Sequence, residues 1–80
     1  MTVVCRERNW KLELLGNEHG IPHIHLRWPD GRASIAIETG EVLVGKPPSE
    51  MRRDAVSWVE RHHTELLTEW FRLNPIKGTN

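Results

Sequence analysis

The chain changes character once, at Gly45-Lys46-Pro47-Pro48. Before that segment, apolar and polar residues alternate and turn residues recur at short intervals. After it, helix breakers are scarce until Pro75. A period of two specifies a half-buried strand, and a period near 3.6 specifies an amphipathic helix. Neither element can leave its apolar side in water, so each must cover the other. The expected fold is α+β: an antiparallel four-stranded sheet, an N-terminal meander within about residues 2–45, covered on one face by a C-terminal helix over about 49–74. A length of 80 residues allows one domain, 1–80. The tail 77–80 is expected to fray.

Trp10, Leu12 and Leu14 alternate with Lys11 and Glu13, and Ile24, Leu26 and Trp28 alternate with His23, His25 and Arg27. Ile35 and Ile37 share one face of a third strand, Val42 and Val44 one face of a fourth. Asp30-Gly31 is a two-residue hairpin signal. With it as the loop, Trp28 lies opposite Ala33, Leu26 opposite Ile35 and Ile24 opposite Ile37. The second face then pairs Arg27 with Ser34, His25 with Ala36 and His23 with Glu38. Thr39-Gly40 is a weaker turn signal and would set Ile37 opposite Val42 and Ile35 opposite Val44. Ser49 is placed to cap the helix, whose apolar positions run from Met51 through Ala55, Val59 and Leu66 to Leu73, with a kink expected near His62 and His63. The four tryptophans fall on core positions, and Trp28→Ala is expected to cost about 3–5 kcal/mol.

Charge and cysteine usage narrow the classes. Eleven Lys plus Arg balance eleven Asp plus Glu, which argues against a basic nucleic-acid arm, an acidic tail and a disordered chain. No apolar run approaches the ~18 residues of a membrane span, and no long apolar block opens the chain. The single cysteine, Cys5, cannot form an internal disulfide or a multi-thiolate zinc site. A cytoplasmic setting is expected.

Three of the five histidines, His19, His23 and His25, lie within seven residues. His23 and His25 are two apart on a strand and so share a side, opposite the Ile24/Leu26/Trp28 face. Pro22 stiffens the loop that delivers them. In one chemical reading His19, His23 and His25 ligate a divalent transition metal such as zinc or nickel, with Glu18 or Glu38 completing the set. In the other, a histidine is a general acid or base, Arg27 grips a phosphate or carboxylate, and Ser34 assists, so that His23, His25 and Arg27 are the catalytic candidates. A half-exposed polar strand face with no function accounts for an H-x-H pair about as well. His62, on the apolar helix face, reads as a satisfied core or boundary histidine.

The stretch Glu18-His19-Gly20-Ile21-Pro22-His23-Ile24-His25 resembles the signature of a small bacterial family, domain of unknown function 4160, whose members read D-H-x-P-P-H-F-H. The later family segments V-L-x-G-x-x-P and L-L-x-x-W match Val42-Leu43-Val44-Gly45-Lys46-Pro47-Pro48 and Leu66-Leu67-Thr68-Glu69-Trp70. Order and spacing agree over about residues 10–72. Glu18 replaces the usual aspartate and Ile21 the first proline. The resemblance implies an uncharacterised α+β domain found beside a second small domain family and suggested as a toxin–antitoxin component. The expectation is such a component, with a His-rich functional face of ribonuclease-like or metal-dependent activity. The alternative is a non-catalytic protein- or metal-binding module that meets a cognate small protein or a second copy through the sheet. RNA as a partner has the zero net charge against it, although Arg6, Arg8, Lys11, Arg27 and Arg32 all fall in the sheet half.

Overall fold

The structure, a computed structural model, describes residues 2–16, 18 and 20–75. Five strands precede two helices: β1 (Thr2–Arg6), β2 (Lys11–Leu14), β3 (His23–Trp28), β4 (Gly31–Ala36), β5 (Val42–Val44), α1 (Ser49–Arg61) and α2 (His63–Leu73). The sheet is antiparallel throughout, in the order β1-β2-β3-β4-β5. The arrangement is α+β, with one strand more than expected. The extra strand is β1. Its Val3-Val4-Cys5 run has no alternation to betray it, and it pairs with β2 through an irregularity between Val3 and Cys5.

Alternation decides the two faces. Ile24 and Leu26 are fully buried while His23 and His25 are half-buried. Leu12, Leu14, Ile24, Leu26, Ile35 and Ile37 form the sheet side of the core, and Ala55, Val59, Leu66 and Trp70 form the helix side. Of the four tryptophans, only Trp70 is buried. Trp10, Trp28 and Trp58 pack against the core half-buried, so the expectation of a fully buried Trp28 is corrected.

The β3–β4 hairpin differs from the expected register by two residues. Trp28 pairs with Gly31, Leu26 with Ala33 and Ile24 with Ile35, and on the other face Arg27 pairs with Arg32, His25 with Ser34 and His23 with Ala36. The loop is Pro29-Asp30. Proline presets φ for the second position of a type I turn, and glycine is favoured at the fourth. Gly31 is accordingly absent from the glycines with positive φ, which an Asp-Gly loop of type I′ would have required. Its missing side chain serves packing instead, since a Cβ there would come 2.8 Å from the Trp28 ring. A shift of two preserves every side chain's face, because the strand period is two.

The next turn is wider than a Thr39-Gly40 loop. Ile37 N–H donates to the Pro22 carbonyl, 3.1 Å, and Gly40 N–H, at φ 77°, closes back on Ala36 O, 2.8 Å. β5 therefore pairs Ile35 with Val42 and Ser34 with Val44 across an irregularity. That turns Val44 to the surface, 66% exposed, rather than onto the Val42 face.

Pro48, not Ser49, occupies the N-cap of α1, and no side chain caps it. The helix breaks at His62 (φ −114°, ψ 21°), whose N–H is shared between Trp58 O and Val59 O. The His62 ring stacks on Trp58 at 4.0 Å and donates Nδ1–H to Trp58 O, 2.9 Å. This is the boundary role expected of it. No helix among the described residues is long and apolar enough to cross a membrane.

Candidate functional site

β3 projects His23 and His25 from the face opposite Ile24 and Leu26, and the segment that enters β3 folds back over them. One carboxylate oxygen gathers the group. Glu18 Oε1 lies 2.5 Å from His25 Nε2 and 3.1 Å from His23 Nε2. The imidazoles meet edge to face at 5.1 Å. Ligand atoms of Glu18, His23 and His25 all lie within 4.8 Å of one another, and all three residues are half-buried.

Two of the three members are oriented by a second contact. His23 donates Nδ1–H to Ile21 O, 2.8 Å, which directs Nε2 at Glu18. The His23 ring also sits 6.3 Å from the ring of Trp70. The Glu18 backbone is tied to the end of α2: its N–H donates to Asn74 Oδ1 at 2.6 Å, and Asn74 Nδ2 donates to Leu15 O at 2.9 Å and to Trp70 O at 3.1 Å. A nearly buried asparagine thus clamps the loop from both sides. The hydrogen bond from His25 holds the Glu18 carboxyl below its ordinary value, against partial desolvation, and the hydrogen bond from His23 adds to the lowering. Glu18 is therefore a carboxylate at neutral pH, the form that ligates a cation.

His19, expected as the third imidazole, lies outside the described residues, as does the tail 77–80. Glu38 is exposed in the turn after β4 and adds no ligand atom to the cluster. Ser34 stands across from His25 on β4. Arg27 is committed elsewhere: its Nε lies 2.6 Å from Glu13 Oε1, and Lys11 Nζ lies 3.6 Å from Glu13 Oε2. The Arg27–Glu13 approach is close but off hydrogen-bond alignment, so Coulomb attraction carries it. Glu13 is only 1% exposed. Burial pushes the Cys5 thiol up, with Glu7 adding to the rise and Arg61 opposing it, which disfavours the thiolate a nucleophile needs.

Two residues escaped the sequence reading. Asn74 gave only one signal, an asparagine between a helix and a proline. The alternation around Leu12 and Leu14 puts Glu13 on the polar face, and the structure buries it there, opposite His25.

Together these features define a small α+β domain with a half-buried carboxylate–bis-imidazole cluster on the polar face of its sheet, beside the end of α2. Residues 10–71 match the family model described as Domain of unknown function (DUF4160), and the chain belongs to that family. No curated protein and no solved structure matches the chain.

Proposed function

We propose that Glu18, His23 and His25 bind a divalent transition metal, zinc or nickel, and that the metal carries the protein's activity. The observation behind this is the convergence of three ligand atoms with one imidazole already oriented. A metal-ligating histidine commonly donates its other N–H to a carbonyl or carboxylate, and His23 does so to Ile21 O. One carboxylate oxygen meets both Nε2 atoms, and a cation held at that convergence would use the lone pair of each Nε2. Two histidines and a glutamate form a set that catalytic zinc sites use, with a further position left for water or substrate. Such a metal supplies Lewis acidity at neutral pH. This favours a metal-dependent reaction over a metal-free one that relies on Arg27 alone as the anion grip, because Glu13 offsets the Arg27 charge. The toxin–antitoxin role belongs to this reading as the setting in which the activity acts. A reducing, cytoplasmic location accords with the free Cys5.

Protein purified without a histidine tag, stripped with chelator and titrated with zinc or nickel, is expected to bind one equivalent. The pair His23→Gln and His25→Gln is expected to abolish uptake. Its fold should weaken by only about 1 kcal/mol for each hydrogen bond lost, since the rings are partly solvated. Absence of stoichiometric binding in the wild type sinks the metal reading. Growth on induced expression, wild type against the double variant, tests the cellular role. Should metal bind while growth is unaffected by either protein, the non-catalytic binding module is the better account.

A further inference from the structure

We propose that the uncovered face of the sheet binds the backbone of single-stranded nucleic acid along a row of four cations, Arg6, Lys11, Arg27 and Arg32. Strand pairing puts them in line: Arg6 is opposite Lys11, Lys11 opposite Arg27, and Arg27 opposite Arg32. Directly paired residues point to the same face, so four neighbouring strands each contribute one positive charge to a single row. Like charges directly opposite one another destabilise a sheet. This chain has a formal net charge of zero, so the row is a local concentration of charge that overall composition hides.

Glu13 is the carboxylate that meets the row. It lies beneath the cations, 1% exposed, and holds the heads of Arg27 and Lys11. It fixes those two side chains and offsets one of the four charges, so the row carries a net three, with the unpaired cations at its two ends. Arg6 and Arg32 are exposed, and among the described residues no carboxylate lies within ion-pair distance of either. At about 4.8 Å between strands the row extends about 14 Å, more than a lone phosphate needs and long enough for successive phosphates. At the end of the sheet, by the β1–β2 turn, Arg6, Lys11 and Arg27 share the wall of a hollow of about 250 Å³ with Trp10 and Trp28, which alternate onto the opposite face and pack half-buried against the core. Arg8 and one carboxylate, Glu7, are also on its rim. Cations that track a backbone beside aromatic rings that accept a base are the two parts of sequence-tolerant single-strand binding. The row shares no residue with the Glu18/His23/His25 cluster, so the inference stands whether or not a metal binds. Arg27 and His25 are two residues apart on β3, about 7 Å, so a strand lying on the row passes beside that cluster.

The test is fluorescence anisotropy with a labelled twelve-nucleotide single-stranded RNA, and the same sequence as DNA, on chelator-treated full-length protein. The expected dissociation constant is about 1–100 µM near physiological salt. Arg6→Ala and Arg32→Ala should each reduce the slope of log affinity against log salt by about 1, and the double variant by about 2. Neither change should lower the thermal midpoint, because each relieves repulsion within the row. Arg52→Ala with Arg53→Ala removes the same charge from the exposed side of α1 and should change binding little. Saturable binding of either strand supports the proposal, and a difference between the two identifies the preferred one. The proposal is overturned if binding is not saturable at low salt or if the α1 pair weakens binding as much as the row pair. Inorganic polyphosphate displacing the oligonucleotide at equal phosphate concentration also overturns it, since the face would then read charge without bases.

Discussion

At the residue scale, Glu18 contributes to the acid response of the protein through its hydrogen bonds to His25 and His23. Its folded-state value lies below the ordinary 4.5, chiefly through the hydrogen bond to His25. A lowered carboxylate stabilises the fold above the unfolded value and loses that contribution as pH falls through the folded one. The wild-type thermal midpoint is therefore expected to drop as pH falls below about 4.5, and Glu18→Gln should lack this component. Midpoints measured across that range check it, and parallel acid limbs for the two proteins would count against the Glu18–His25 contact. Trp28 is a second case. Half-buried over Gly31, it should cost about 1–3 kcal/mol on change to alanine, less than a fully buried tryptophan. Urea unfolding measures the difference.

At the scale of elements, two short contacts hold parts that lie far apart in sequence. Asn74 at the end of α2 bonds both Leu15 and Glu18. Asn74→Ala leaves those partners unsatisfied and should destabilise by about 1–3 kcal/mol. Because it loosens Glu18, it should also weaken zinc affinity by about 10- to 100-fold. Calorimetric titration of the folded variant separates the two effects, and a stability loss with unchanged affinity would mean that Asn74 does not position the site. Gly45 ends β5 at φ 92°, and a Cβ there would lie 2.5 Å from Arg32 O and 2.8 Å from Ala33 Cα. Both are backbone atoms and cannot swing aside. Gly45→Ala should therefore cost about 1–3 kcal/mol for the backbone conformation alone, with the clash in addition. This is a physical reason for a glycine in the V-L-x-G-x-x-P segment. Chemical denaturation of Gly45→Ala checks it.

At the scale of the whole molecule, the proposed metal site would link binding to folding. Its residues come from β3 and from the loop clamped to α2, so an unfolded chain offers no preformed site. Zinc at 100 times its dissociation constant should stabilise the fold by about 2.7 kcal/mol. For a chain of this size that corresponds to a rise of roughly 10–20 °C in the melting midpoint. Thermal melts with and without zinc test this. A midpoint indifferent to zinc in a protein that nonetheless binds it would place the metal where folding does not build the site.

The local pattern of the sequence was enough to determine the α+β class, the two sheet faces, the kink at His62 and the shared side of His23 and His25. Each follows from short-range periodicity, which burial enforces wherever one side must be dry. The β3–β4 register was misread by two residues because Pro29-Asp30 competes with Asp30-Gly31 for the turn, and both satisfy the same alternation. β1 went uncounted because an edge strand with an irregularity needs no alternation. Glu18 as the hub of the site, Asn74 as its clamp, Glu13 as a buried carboxylate and the row from Arg6 to Arg32 were decided only by the tertiary structure. These depend on which strands become neighbours and on a helix end meeting a loop more than fifty residues away. Such meetings arise when the apolar faces pack, and no local period in the sequence encodes them.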